Sequence, residues 1–121
     1  MIDKLKQLAQ EYALTADGDW LNDFDWSSVP VKFKKLKNDV VGYHFFGSIT
    51  LMEVCDANII FDIYIHELRH VWQAKKHPFF YLIGKLLRFL IENDADSEEA
   101  KALYWLHNRS LCRSYKKYKS I

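Results

Sequence analysis

With 121 residues, half of them hydrophobic, the chain can hold one hydrophobic core and not two. Its aromatic share of 16% sets it apart from disordered sequence, and 17 basic against 16 acidic residues leave no overall field toward nucleic acid or a membrane. Cys55 and Cys112 lack CxxC spacing, so they read as buried thiols of a reducing compartment rather than a disulfide framework. The N-terminus mixes charged and apolar residues without the continuous apolar stretch of a secretory signal. The longest apolar run, 79–91, is interrupted by Lys85 and Arg88 and falls short of the roughly 20 residues a spanning helix needs. The expectation is a soluble, cytoplasmic, single domain over 1–121.

Ile2, Leu5, Leu8, Ala9, Tyr12 and Ala13 recur at three- and four-residue intervals and predict an amphipathic helix that ends at 15–18. Trp20, Leu21, Phe24 and Trp26 follow as a helical turn or packed loop, with the aromatics serving the core. Ser27-Ser28-Val29-Pro30 is turn chemistry. The period then changes. Val31-Lys32-Phe33-Lys34 alternates like a half-exposed strand, 40–46 reads as a second strand after the Asn38-Asp39 turn, and 49–54 reads as a third after Gly47-Ser48. These predict a small antiparallel meander, in which His44 is structural.

Asp56-Ala57-Asn58 supplies cap residues for the next helix. That helix carries Ile59, Ile63, His66, His70 and Gln73 on one stripe and Phe61, Ile65, Leu68 and Trp72 on another, as a buried helix would. Lys75, Lys76, His77 and Pro78 close it, His77 as a C-terminal cation. A buried helix is expected over 79–91. Another, starting near Glu92 or at a Ser97 cap, carries Ala100, Leu103, Tyr104, Leu106, His107 and Leu111. His107 reads as an exposed or core-edge position. The tail with Arg113, Lys116, Lys117 and Lys119 reads as a solvated end. The class is therefore α+β.

His66-Glu67-Leu68-Arg69-His70 is the stretch that carries chemistry. Residues four apart share a helix face, so His66 and His70 can offer two imidazoles to one metal ion. Glu67 stands where its carboxylate reaches a water on that metal without ligating. A catalytic zinc takes three protein ligands and keeps a position for water, so a third must come from elsewhere. The acidic stretch 92–99 offers Glu92, Asp94 and Asp96, about one helix further along.

Here the sequence resembles the gluzincin metalloproteases, in which His-Glu-x-x-His on one helix is completed by a glutamate on the next, often within Glu-x-x-Ala-Asp. The matching residues are Glu92-x-x-Ala95-Asp96. The run His66-Glu67-Leu68-x-His70-Val71-x-Gln73 is also similar to the small bacterial and phage domains called minigluzincins, whose order is helix, small sheet, metal helix, glutamate helix. The resemblance spans 58–100 at the level of motifs. It implies a small zincin-like fold, one zinc ion held by His66, His70 and Glu92, and Asp96 orienting a histidine from outside the ligand set. It also implies peptide hydrolysis with Glu67 as general base and a peptide or protein substrate. Arg69 departs from the pattern as a large residue at an exposed intervening position, and Asp94 or Asp96 remains an alternative ligand. Tyr81, Tyr104 and His107 are open candidates for stabilising an oxyanion. No nucleic-acid or membrane partner is expected. The competing readings are a non-catalytic zinc-stabilised interaction module and a small helical protein binding nucleic acid through its basic tail.

Overall fold

The computed structural model describes residues 1–37, 39–45 and 47–119, with side chains through residue 109. The chain is α+β. Helix α1 (Ile2–Tyr12) and two short 3-10 turns (Asp19–Asp23 and Trp26–Ser28) lead into strands β1 (Val31–Lys34), β2 (Gly42–Phe45) and β3 (Ser48–Met52). Helices α2 (Ala57–Lys76), α3 (Pro78–Leu86) and α4 (Arg88–Lys119) complete it. The predicted roles of Asn38, Phe46, Leu111, Cys112 and the basic tail side chains lie outside the described residues.

The sheet is not the expected meander. Its order is β1-β3-β2, with β1 parallel to β3 and β2 antiparallel to it. Burial explains the order. In β3, Ile49, Thr50 and Leu51 are all buried, so this strand belongs in the middle. In β1, Lys32 and Lys34 point outward, which suits an edge and discourages pairing with other chains. β2 exposes Tyr43 and Phe45 and turns Gly42 and His44 inward. Gly42 lies so close to Ile63 of α2 that a Cβ there would sit 2.9 Å from the Ile63 side chain. That close approach brings His44 over the metal-motif helix.

α2 is the hub, packed against α1, α3, α4, β2 and β3. Its start is capped as expected, with the Asp56 carboxylate accepting from the Asn58 N–H at 3.0 Å. Ile60, Phe61, Tyr64, Ile65 and Leu68 are fully buried and meet Leu5, Leu8 and Tyr12 of α1 and Ile49 and Leu51 of β3. Burial raises the pKa of both the Tyr12 and the Tyr64 hydroxyls. Trp20 is buried and stacks on Phe24, as core packing requires.

Four further expectations change. Cys55 is exposed, because it falls in the turn between β3 and α2. Arg69 is largely buried, its guanidinium 3.7 Å from the Trp72 ring centroid and 4.9 Å from that of Trp20. The helix break comes at Leu87 rather than near Glu92, so Glu92, Asp96 and Ser97 all lie within α4 and Ser97 caps nothing. Here Gly84 seats against Ile91, where a Cβ would collide with the Ile91 side chain, so α4 folds back on α3 at a bend without Gly or Pro. Finally, 79–91 is not a buried helix. Phe79, Leu82, Ile83, Leu86 and Phe89 are all more than half exposed.

Candidate metal centre

Being four residues apart on α2, His66 and His70 bring their Nε2 atoms within 3.2 Å of each other. α4 returns beside α2 and lays Glu92 across the pair. One Glu92 oxygen lies 3.2 Å from His66 Nε2 and the other 3.1 Å from His70 Nε2. The three residues thus enclose a triangle whose facing atoms are 3.1 to 3.2 Å apart, the two Glu92 contacts ending on different oxygens. A tetrahedral zinc with bonds of about 2.0–2.1 Å spaces its ligand atoms about 3.3 Å apart, close to each of these separations.

Hydrogen bonds outside the triangle fix which nitrogens face it. Gln73 is fully buried, and its Nε2 donates to the Ile91 carbonyl at 3.0 Å and to Asp94 at 2.8 Å. Its amide oxygen must therefore point at His70, 2.9 Å from Nδ1, and accept the proton there. His70 Nε2 is left bare. Burial also lowers the His70 pKa, which favours the neutral imidazole that binds metal. On the other ring, His66 Nδ1 lies 2.9 Å from Glu99 and 3.3 Å from Asp96, so a proton there meets two carboxylates. Neither oxygen lies along the N–H direction, so the contact is chiefly electrostatic. Burial raises the Glu99 pKa against the pull of His66. Two imidazole nitrogens and a carboxylate facing one another make a donor set suited to a cation.

Glu92 lies against both Nε2 atoms and Asp96 against His66 Nδ1. Asp94 is turned away, paired with Arg69 at 2.8 and 3.2 Å. Burial pushes its carboxyl up, but the Arg69 and Gln73 hydrogen bonds outweigh this and its pKa is lowered. A second grouping, His66 with Asp96 and Glu99, shares His66 through the opposite ring nitrogen.

Glu67 is buried at the edge of the triangle, 3.9 Å from His66 Nε2. Its partner is His44, the residue that sequence reasoning set aside as structural. His44 Nδ1 lies 3.0 Å from the Glu67 carboxylate, its Nε2 lies 2.9 Å from the Tyr81 hydroxyl, and its ring stacks on His70 at 4.6 Å. A cavity of about 260 Å³ is lined by Gly42, His44, His66, Glu67, His70 and Glu92, among others. A larger recess of about 420 Å³ shares His44, Arg88 and Glu92 with it and reaches Tyr81 and Lys85. Tyr104 and His107 are exposed and line neither space. His77 caps the C-terminal end of α2, as expected.

No known protein family, no curated protein and no solved structure matches this chain. The reading of the site rests on its geometry.

Proposed function

We propose that this protein is a zinc-dependent peptidase, with the metal held by His66, His70 and Glu92. The observation that carries the reading is the cluster of His66, His70 and Glu92, with facing atoms 3.1 to 3.2 Å apart, beside a buried glutamate outside that cluster. Zinc held there supplies Lewis acidity, bringing the pKa of a water to about 7 and polarising a carbonyl.

Peptide hydrolysis also needs a base that takes the water's proton and passes it to the departing amine. Glu67 fits that work. An ionised Glu67 accepts from His44 Nδ1–H, which leaves His44 Nε2 to accept from the Tyr81 hydroxyl. Burial, with the charges of Glu67 and Glu92, raises the Tyr81 pKa and keeps that hydroxyl a donor. Of the three oxyanion candidates, Tyr81 alone lines the recess, and its one O–H would turn from His44 Nε2 to the substrate to fill that role. β2 is an edge strand and carries His44, which suits an extended peptide adding alongside it.

The test is hydrolysis of a mixture of quenched-fluorescent peptides by zinc-loaded protein, with Glu67→Gln beside it. The variant should lose about a hundredfold or more in kcat while keeping its zinc and its melting temperature. Stoichiometric zinc with no hydrolysis by either protein would make the metal a structural staple and end the enzyme reading.

A further inference from the structure

Helix α3 presents an apolar stripe to solvent rather than to the core. Phe79, Leu82, Ile83 and Leu86 follow the i, i+3, i+4, i+7 spacing of one helix face, and they are 81%, 62%, 51% and 84% exposed. Leu87 and Phe89 extend the stripe past the bend. The opposite side of α3 does the packing, with Gly84 on Ile91 and Tyr81 toward His44. An outward stripe of this size on a small domain marks a docking surface.

Charge identifies the occupant. Lys75 and Lys76 end α2 just before the stripe, Lys85 lies in the last turn of α3 and Arg88 begins α4. All four are exposed, and no acidic residue occurs between Gln73 and Glu92, while Lys75, Lys85 and Arg88 also line the recesses at Tyr81. A second copy docked by two-fold symmetry would set this cluster of cations against its own image. A ridge of bulky apolar side chains with cations before its first turn and at its end matches the boundary between the headgroups and acyl chains of an anionic bilayer. We infer that α3 is an interfacial anchor that binds this protein peripherally to anionic membrane surfaces. None of the described helices is long and apolar enough to cross a bilayer, so the helix lies in the interface plane. The inference needs no metal and stands apart from the peptidase reading.

The test is co-sedimentation of the full chain with vesicles of phosphatidylcholine, alone or mixed with phosphatidylglycerol. The chain should bind the anionic vesicles, bind the neutral ones far less, and release as salt rises. Lys75→Gln with Lys76→Gln should weaken binding roughly 25-fold, about fivefold per cation. Leu82→Ser with Leu86→Ser should abolish it while leaving zinc content and circular dichroism as in the parent. Should that pair fail to fold, the lysine pair and the salt series decide. Equal binding to both vesicle types, or binding that survives loss of both leucines in a folded protein, would overturn the inference. So would a stable dimer that Leu86→Ser dissolves, found without vesicle binding.

Discussion

Gln73→Leu isolates what holds the metal ligands in register. Gln73 is fully buried, and leucine nearly conserves its volume, so the change removes hydrogen bonds rather than packing. The main loss is the acceptor for His70 Nδ1–H, now 2.9 Å away. Leaving that buried donor unpaired costs about 1–3 kcal/mol. The Ile91 carbonyl sits in the first turn of α4, where the helix ladder still engages it, and Asp94 keeps Arg69. We therefore expect the metal-free protein to lose about 2 kcal/mol, or roughly 6–10 °C in Tm for a domain of this size. Without its acceptor, the His70 proton can move to Nε2 and occupy the atom that should bind zinc. Losing such an orienting partner typically costs about 10–100-fold in metal affinity. Gln73→Glu restores the acceptor and should recover most of that affinity, at some cost in stability because the new carboxylate faces Asp94. The assay is zinc competition against a chromophoric chelator at neutral pH, with thermal melts of the metal-free proteins. A Gln73→Leu protein that binds zinc within about threefold of the parent and melts within about 2 °C would refute the reasoning.

Glu92→Ala should abolish stoichiometric zinc, whereas Asp96→Ala should weaken it by about tenfold and leave one zinc per chain at saturation. Metal analysis after dialysis checks both, and zinc retained without Glu92 would show that the triangle is not the site. A pH series tests the state of His70. Its pKa is lowered by burial, so the unfolded chain takes up the proton first as pH falls. The stability it contributes is complete above the unfolded value of about 6.5 and is lost as pH falls from there toward the folded value. Melts of the metal-free protein should thus fall below about 6.5, and His70→Asn should flatten that part of the profile. An unchanged slope in the variant would locate the titration elsewhere.

Much of the site was legible in the chain because it is local. His66 and His70 face together by helix geometry alone, and the Asp56 cap begins α2 where the sequence said it would. Glu92 and Asp96 were singled out by the resemblance to a Glu-x-x-Ala-Asp motif, whereas spacing alone left Asp94 and Asp96 open as ligands. His44 falls in no such motif. A single histidine in a short strand reads the same whether it faces a core, solvent or Glu67, and only the approach of β2 to α2 at Gly42 decides between them. Arg69 was hidden for a similar reason. It looked exposed because its pocket is assembled from Trp20, Trp72 and Asp94, which lie on three separate elements.

The sequence by itself determined the α+β class, the helix that carries His66 and His70, and the donor types gathered at the candidate metal centre. These follow from hydrophobic period and capping, which act within a few residues. Tertiary structure decided the rest. It put β3 in the middle of a mixed sheet because that strand is the one buried throughout. It moved the helix break to Leu87, where Gly84 lets Ile91 approach and no Gly or Pro marks the bend itself. It also turned the apolar stripe of α3 outward. Periodicity says that a helix has an apolar face; which way that face points depends on whether the core is already full.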